Sequence, residues 1–167
     1  MKISSTIKFA IPAVVGILTL GLVTPAAFAS TTVTTTFVVT ATVPSSCVIS
    51  ATALGFGSYT GVLAQSTSTV IVQCTNTTPY TVGLNQGTGA NATVANRLMT
   101  GPNAATLGYS LFSDTLYSVN WNYTGAGTVG GTGNGAQQKL TVYGQIPAGQ
   151  YVAPGSYSDT ITASVTY

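Results

Sequence analysis

Histidine and glutamate are absent from this chain, and charge of either sign is scarce: Lys and Arg together number 4 and Asp 2 among 167 residues. Without histidine the commonest general base and metal ligand is missing, and a Ser–His–Asp arrangement is impossible. The only acidic side chains are Asp114 and Asp159, and carboxylate-pair glycoside cleavage would need the two to converge. No catalytic residue, metal or cofactor is therefore assigned, and the chain is read as a non-enzyme. Lys2 and Lys8 lie at the very start, so the rest sets Arg97 and Lys139 against Asp114 and Asp159. No basic patch exists to gather phosphates, which argues against a nucleic-acid partner. So neutral a protein also has little charge repulsion to keep its copies apart. Composition leaves two readings open, a small secreted β-domain solubilised by Thr, Ser, Asn and Gln, or a subunit made for an assembly.

Long hydrophobic runs are nearly absent too. The one that exists, residues 9–23, follows the basic Lys2 and Lys8, contains Pro12 and precedes the small-residue site Ala27, Phe28, Ala29. That is the pattern of an export signal, and the run is short of the roughly 20 residues of a stable membrane span. Residues 1–29 are expected to be a signal peptide. Cysteine is limited to Cys47 and Cys74, and in an exported protein such a pair is expected to form a disulfide. A metal site would need a third thiolate or a histidine, and a redox pair is usually closer in sequence.

Helical apolar spacing with caps is missing outside the signal. Strand patterning fills the chain instead. In residues 31–43, Val33, Phe37, Val39, Ala41 and Val43 share one face with Thr35, and the other face is threonine-rich. Pro44 ends the alternation. Further strands are expected at 47–50, 68–75, 80–84, 106–113, 139–146 and 157–167, with 97–99 a short strand across an edge. Two aromatic bends are expected, around Leu54, Phe56 and Tyr59, and around Tyr117, Trp121 and Tyr123. In the last strand Tyr157, Asp159, Ile161, Ala163, Val165 and Tyr167 share a face, and no returning strand follows. Strands at this spacing with Gly and Pro punctuation read as an all-β sandwich. Six main strands after Cys47 are one fewer than an immunoglobulin-like sandwich needs.

Residues 125–130 spell G-x-G-x-x-G, but no helix follows and the next acid is Asp159, so the stretch is read as a flexible surface loop rather than a dinucleotide site. The N-x-T triplets at Asn76, Asn91 and Asn122 matter only in a glycosylating host. Asp159 is read as a satisfied turn or strand-start residue, and Trp121 as core rather than a sugar platform.

Several segments together resemble the spore coat protein U domain family, whose best-understood members are pilin subunits of archaic (Csu-like) chaperone–usher pili. They are Phe37, Val39, Val43 and Cys47; Leu54, Gly55, Phe56 and Gly57; Val72 and Cys74; Pro79, Tyr80 and Val82; and Arg97, Leu98 and Met99. Further along come Leu107, Tyr109, Leu111, Phe112 and Asp114; Trp121; Val142, Tyr143, Gly144, Ile146 and Pro147; and Gly155, Tyr157, Asp159 and Thr160. The resemblance implies an incomplete immunoglobulin-like sandwich completed by a donor strand from a neighbouring subunit. Residues 30–44 would be the donor extension, with Phe37, Val39, Ala41 and Val43 entering the neighbour's groove and Pro44 as hinge. Residues 45–167 would be the pilin domain, with Tyr157, Ile161, Ala163, Val165 and Tyr167 on the acceptor strand and Cys47 paired to Cys74. The implied partners are further copies of the chain, a periplasmic chaperone and an outer-membrane usher, and the implied location is a surface fimbrium serving adhesion or biofilm formation. The alternatives kept open are residues 31–43 as the first strand of their own sandwich, a monomeric carbohydrate- or surface-binding module, and a secreted coat or matrix protein.

Overall fold

A computed structural model of the chain describes residues 27–167; the expected signal peptide lies mostly outside the described residues. Contacts divide the chain after Thr40. Residues 27–40 contain no strand and are exposed throughout, and residues 41–46, in the second unit, are the same.

Eight strands follow, in two sheets. They are β1 (Cys47–Ala51), β2 (Ala64–Cys74), β3 (Pro79–Leu84), β4 (Arg97–Thr100), β5 (Thr106–Phe112), β6 (Val129–Thr132), β7 (Gln138–Ile146) and β8 (Ala163–Thr166). One sheet runs β1-β2-β7-β5-β4, the other β6-β3-β8, and every pairing is antiparallel. Among the described residues no helix is long and apolar enough to cross a membrane.

The alternation read from the sequence sets which side chains meet. Val70, Val72 and Cys74 of β2, Leu107, Tyr109 and Leu111 of β5, and Val142 and Ile146 of β7 face Tyr80, Val82 and Leu84 of β3 across one core. Successive strand side chains point to opposite faces, so a period-two apolar set becomes one wall of a sandwich. Trp121 fills the core, fully buried, and its indole N–H donates to the Val82 carbonyl at 2.9 Å. A tryptophan so enclosed cannot stack on a sugar. Cys47 and Cys74, cross-strand partners of β1 and β2, form the expected disulfide.

Three expectations need correction. No strand forms at 31–43 within the single chain: the segment makes no hydrogen-bond ladder, and a β-branched run without one is not ordered as a strand. Residues 125–135 are not wholly a loop, because β6 pairs with β3. Gly131 makes that passage possible, since a Cβ there would stand 2.5 Å from the Tyr80 ring. The last strand is also shorter than residues 157–167: β8 begins at Ala163, and before it Ser158 makes only an isolated bridge to Thr100.

Candidate functional site

β1 pairs only with β2 and β8 only with β3, so each is the edge of its sheet. Where β1 ends at Ala51 and β8 begins at Ala163, a groove of about 400 Å³ opens. One wall is residues 51–56, with Leu54 and Phe56; the other is residues 157–163, with Tyr157, Ile161 and Ala163. Val70, Leu84, Met99, Tyr109, Leu111 and Val142 also line it. The first wall forms because the glycine-spaced bend lays Leu54 and Phe56 against the core. Gly144 makes room for them: a Cβ there would lie 2.8 Å from Leu54 Cδ1 and 2.9 Å from Phe56 Cζ. Phe56 meets Tyr109 edge-on, ring centroids 6.2 Å apart. A second groove, lined by residues 54–61 and 150–157, shares Leu54, Phe56, Met99 and Tyr157 with the first.

Of the expected acceptor residues the structure brings Tyr157, Ile161 and Ala163 into the groove. Val165 packs on the core, and Tyr167 is mostly exposed. The four donor residues are exposed: Phe37, Val39 and Val43 are 85%, 81% and 80% exposed, and Ala41 is exposed as well. The groove's remaining strand lining, from β2, β3, β4, β5 and β7, was not singled out from the sequence as a site. Its members are ordinary alternating core residues, and only their position beneath an uncovered edge distinguishes them.

Two charged side chains underlie this region. Arg97 of β4 is wholly buried. Its Nε donates to the Asn85 carbonyl at 2.8 Å and its Nη1 to that of Val94 at 2.7 Å. Its Nη2 serves the carbonyls of Leu84 at 3.0 Å and Trp121 at 2.8 Å. Burial pushes the guanidinium down to about 10, with Tyr109 and Asp159 opposing the shift, so it stays charged at neutral pH. Asp159 accepts from Thr88 N at 2.7 Å, Thr88 Oγ1 at 2.8 Å and Thr160 N at 2.7 Å through Oδ1, and from the Tyr109 hydroxyl at 2.8 Å through Oδ2. Partial burial raises its carboxyl, but these bonds to the ionised form outweigh that and hold it below the usual carboxylate range. Burial, then the bond to Asp159, pushes the Tyr109 hydroxyl well up. Asp159 is thus a satisfied residue, as its place in the sequence suggested.

The family model of the Spore Coat Protein U domain matches residues 33–164. The chain belongs to that family. It is 33% identical over 127 residues to Protein U of Myxococcus xanthus, an alignment covering 68% of this chain and 71% of that protein. Among solved structures it is similar to a chain of the pre-assembly complex of CsuC, a chaperone, and CsuE, a tip adhesion subunit, from the archaic chaperone–usher Csu pili of Acinetobacter baumannii. The TM-score is 0.59 at 24% identity, over 75% of this chain but only 41% of that one. At this identity the likeness concerns the fold, an all-β immunoglobulin-like sandwich. The protein U domain here accordingly presents such a sandwich with an apolar groove open along one edge.

Proposed function

We propose that this chain is a structural pilin subunit that polymerises by donor-strand exchange. The observation that carries the reading is the open apolar groove between residues 51–56 and 157–163, in a chain that also bears an exposed alternating segment of matching chemistry. An uncovered edge beside an open core leaves hydrogen-bond groups unmet and invites aggregation. An added strand satisfies the ladder and sets alternate side chains into the groove. Residues 31–43 of one copy supply that strand to the next, with Phe37, Val39, Ala41 and Val43 directed inward. Head-to-tail donation does not close on itself, so the product is a filament.

On this reading the chain is exported after removal of residues 1–29, a periplasmic chaperone occupies the groove first, and an outer-membrane usher drives the exchange. The fibre is displayed on the cell surface for adhesion or biofilm formation. Each buried donor valine contributes roughly 1.5–3 kcal/mol of apolar stabilisation, and an unpaired cation in its place reverses the sign. Val39→Arg should therefore abolish polymer while the subunit still folds and is still captured by its chaperone. Intact fibres of Val39→Arg, seen by electron microscopy, would sink the donor assignment. A second reading, a secreted coat protein of the same fold, is favoured by the match to the Spore Coat Protein U domain; coat material that forms without any usher would select it.

A further inference from the structure

We propose that Asp159 is the positioning residue of the donor groove, a carboxylate clasp that holds the acceptor edge where the sheet ladder has stopped. The inference rests on the donor-strand reading. The β3–β8 ladder ends at the pair Leu84 and Ala163. Toward the chain start, residues 157–161 still form the groove wall, yet they lie in no strand. Ser158 exchanges two backbone bonds with Thr100, at 2.9 and 3.1 Å, and between that bridge and the ladder two side chains take over. Asn85 Oδ1 accepts from Thr162 N at 2.8 Å while Asn85 N donates to the Thr162 carbonyl at 3.0 Å. Asp159 then ties the wall to the 85–88 loop through Thr88 and to β5 through Tyr109.

The loop is built around this carboxylate. Gly87 has φ +86°, and any Cβ there would collide with the Asp159 carboxylate. All four hydrogen bonds to Asp159 are donated to it, two by fixed backbone N–H groups. Only the ionised form is purely an acceptor, so a proton on Oδ1 is set against two backbone N–H donors that cannot turn away, and one on Oδ2 requires the Tyr109 hydroxyl to reverse its bond. The charged and titratable groups facing it are Tyr109 from β5 and Arg97 from β4, and residues 85–88 contribute none. Asp159 is also the one carboxylate lining the groove.

The chain's composition makes the idea testable by acid. With no histidine and no glutamate, Asp114 is the only other acidic side chain. Because the folded carboxyl of Asp159 titrates below its ordinary range, the clasp is intact above that range and is lost as pH falls through the depressed value. Fibres of the full chain would be followed for subunit release in SDS at pH 7 and at acid pH. Wild-type release should accelerate on acidification. Asp159→Asn fibres should release about tenfold faster already at pH 7, the loss expected for a charge-assisted hydrogen-bond set, and should lack the acid response. Asp114→Asn should keep it. Tyr109→Phe, which removes one of the four bonds, should give a smaller acceleration with the acid response retained, and carries the test if Asp159→Asn yields no fibres. Wild-type release rates in both variants, or an acid response that survives Asp159→Asn, would overturn the proposal. Amide hydrogen exchange at Thr88 and Thr160 in the full chain reads the clasp without assembly: equal exchange in wild type and Asp159→Asn overturns it, fibres or none. Faster exchange in the variant, with no wild-type fibres, removes instead the donor-strand reading and the clasp's part in it.

Discussion

Replacing Arg97 by methionine removes the donors of four backbone carbonyls while roughly keeping the side chain's volume. The acceptors on Leu84 and Trp121 are bonded within the buried interior, and those on Asn85 and Val94 are only partly buried and can turn to water. Each buried carbonyl left without a donor costs about 1–3 kcal/mol, so the two together lose roughly 2–6 kcal/mol. Relief from burying a charge returns part of that. The net expectation is a loss of about 3 kcal/mol, which at an m-value of about 2 kcal/mol/M lowers the urea midpoint by roughly 1.5 M. Arg97→Lys should not rescue it, because a compact ammonium cannot fork to carbonyls on both sides. The assay is urea unfolding of wild type and variant in the same assembly state, read by the fluorescence of the single tryptophan. Trp121 is a suitable reporter, since it is buried and its own carbonyl is one of Arg97's acceptors. A variant within about 1 kcal/mol of wild type would refute the reasoning and show that water reaches these carbonyls.

Two further outcomes follow from the geometry. Replacing Cys47 and Cys74 together by alanine opens a loop of sequence separation 27 and should lower stability by about 3–4 kcal/mol in the chain-entropy model, measured by denaturant unfolding without reductant. Gly83→Ala places a Cβ onto the backbone carbonyl of Tyr123. Backbone cannot swing aside as a side-chain tip can, so a loss of about 3 kcal/mol and a Tm fall of roughly 10 °C are expected by thermal scan; an unchanged Tm would count against the placement of the segment around Trp121.

Much of the sandwich was legible because strand periodicity is local. The apolar sets on β2, β3, β5 and β7 are written at every second residue, and those strands form around them, although β2 begins at Ala64, before the expected residue 68, in a polar stretch with no apolar pattern to mark it. The failures have local causes of their own. Gly130 and Gly131 carry no side chain for a pattern to show, so β6 read as loop, although that absence is what lets the strand pass Tyr80. Residues 157–162 alternate as a strand should, yet β3 ends at Leu84 and leaves them no ladder. Residues 31–43 alternate equally well and have no ladder at all.

By itself, then, the sequence determined the all-β class, the inward face of each main strand, the cysteine pair and the chemistry of the exposed segment, because each depends on residue type and near spacing. Only the tertiary structure decided what the charges do. Arg97 and Tyr109 are cross-strand partners on β4 and β5 while Asp159 lies 50 residues beyond Tyr109, and packing one sheet against the other is what sets a buried guanidinium among carbonyls and a carboxylate among donors. It also decided where the sandwich stays open. A groove is a relation between two edges, here residues 51–56 and 157–163, and no single strand contains it.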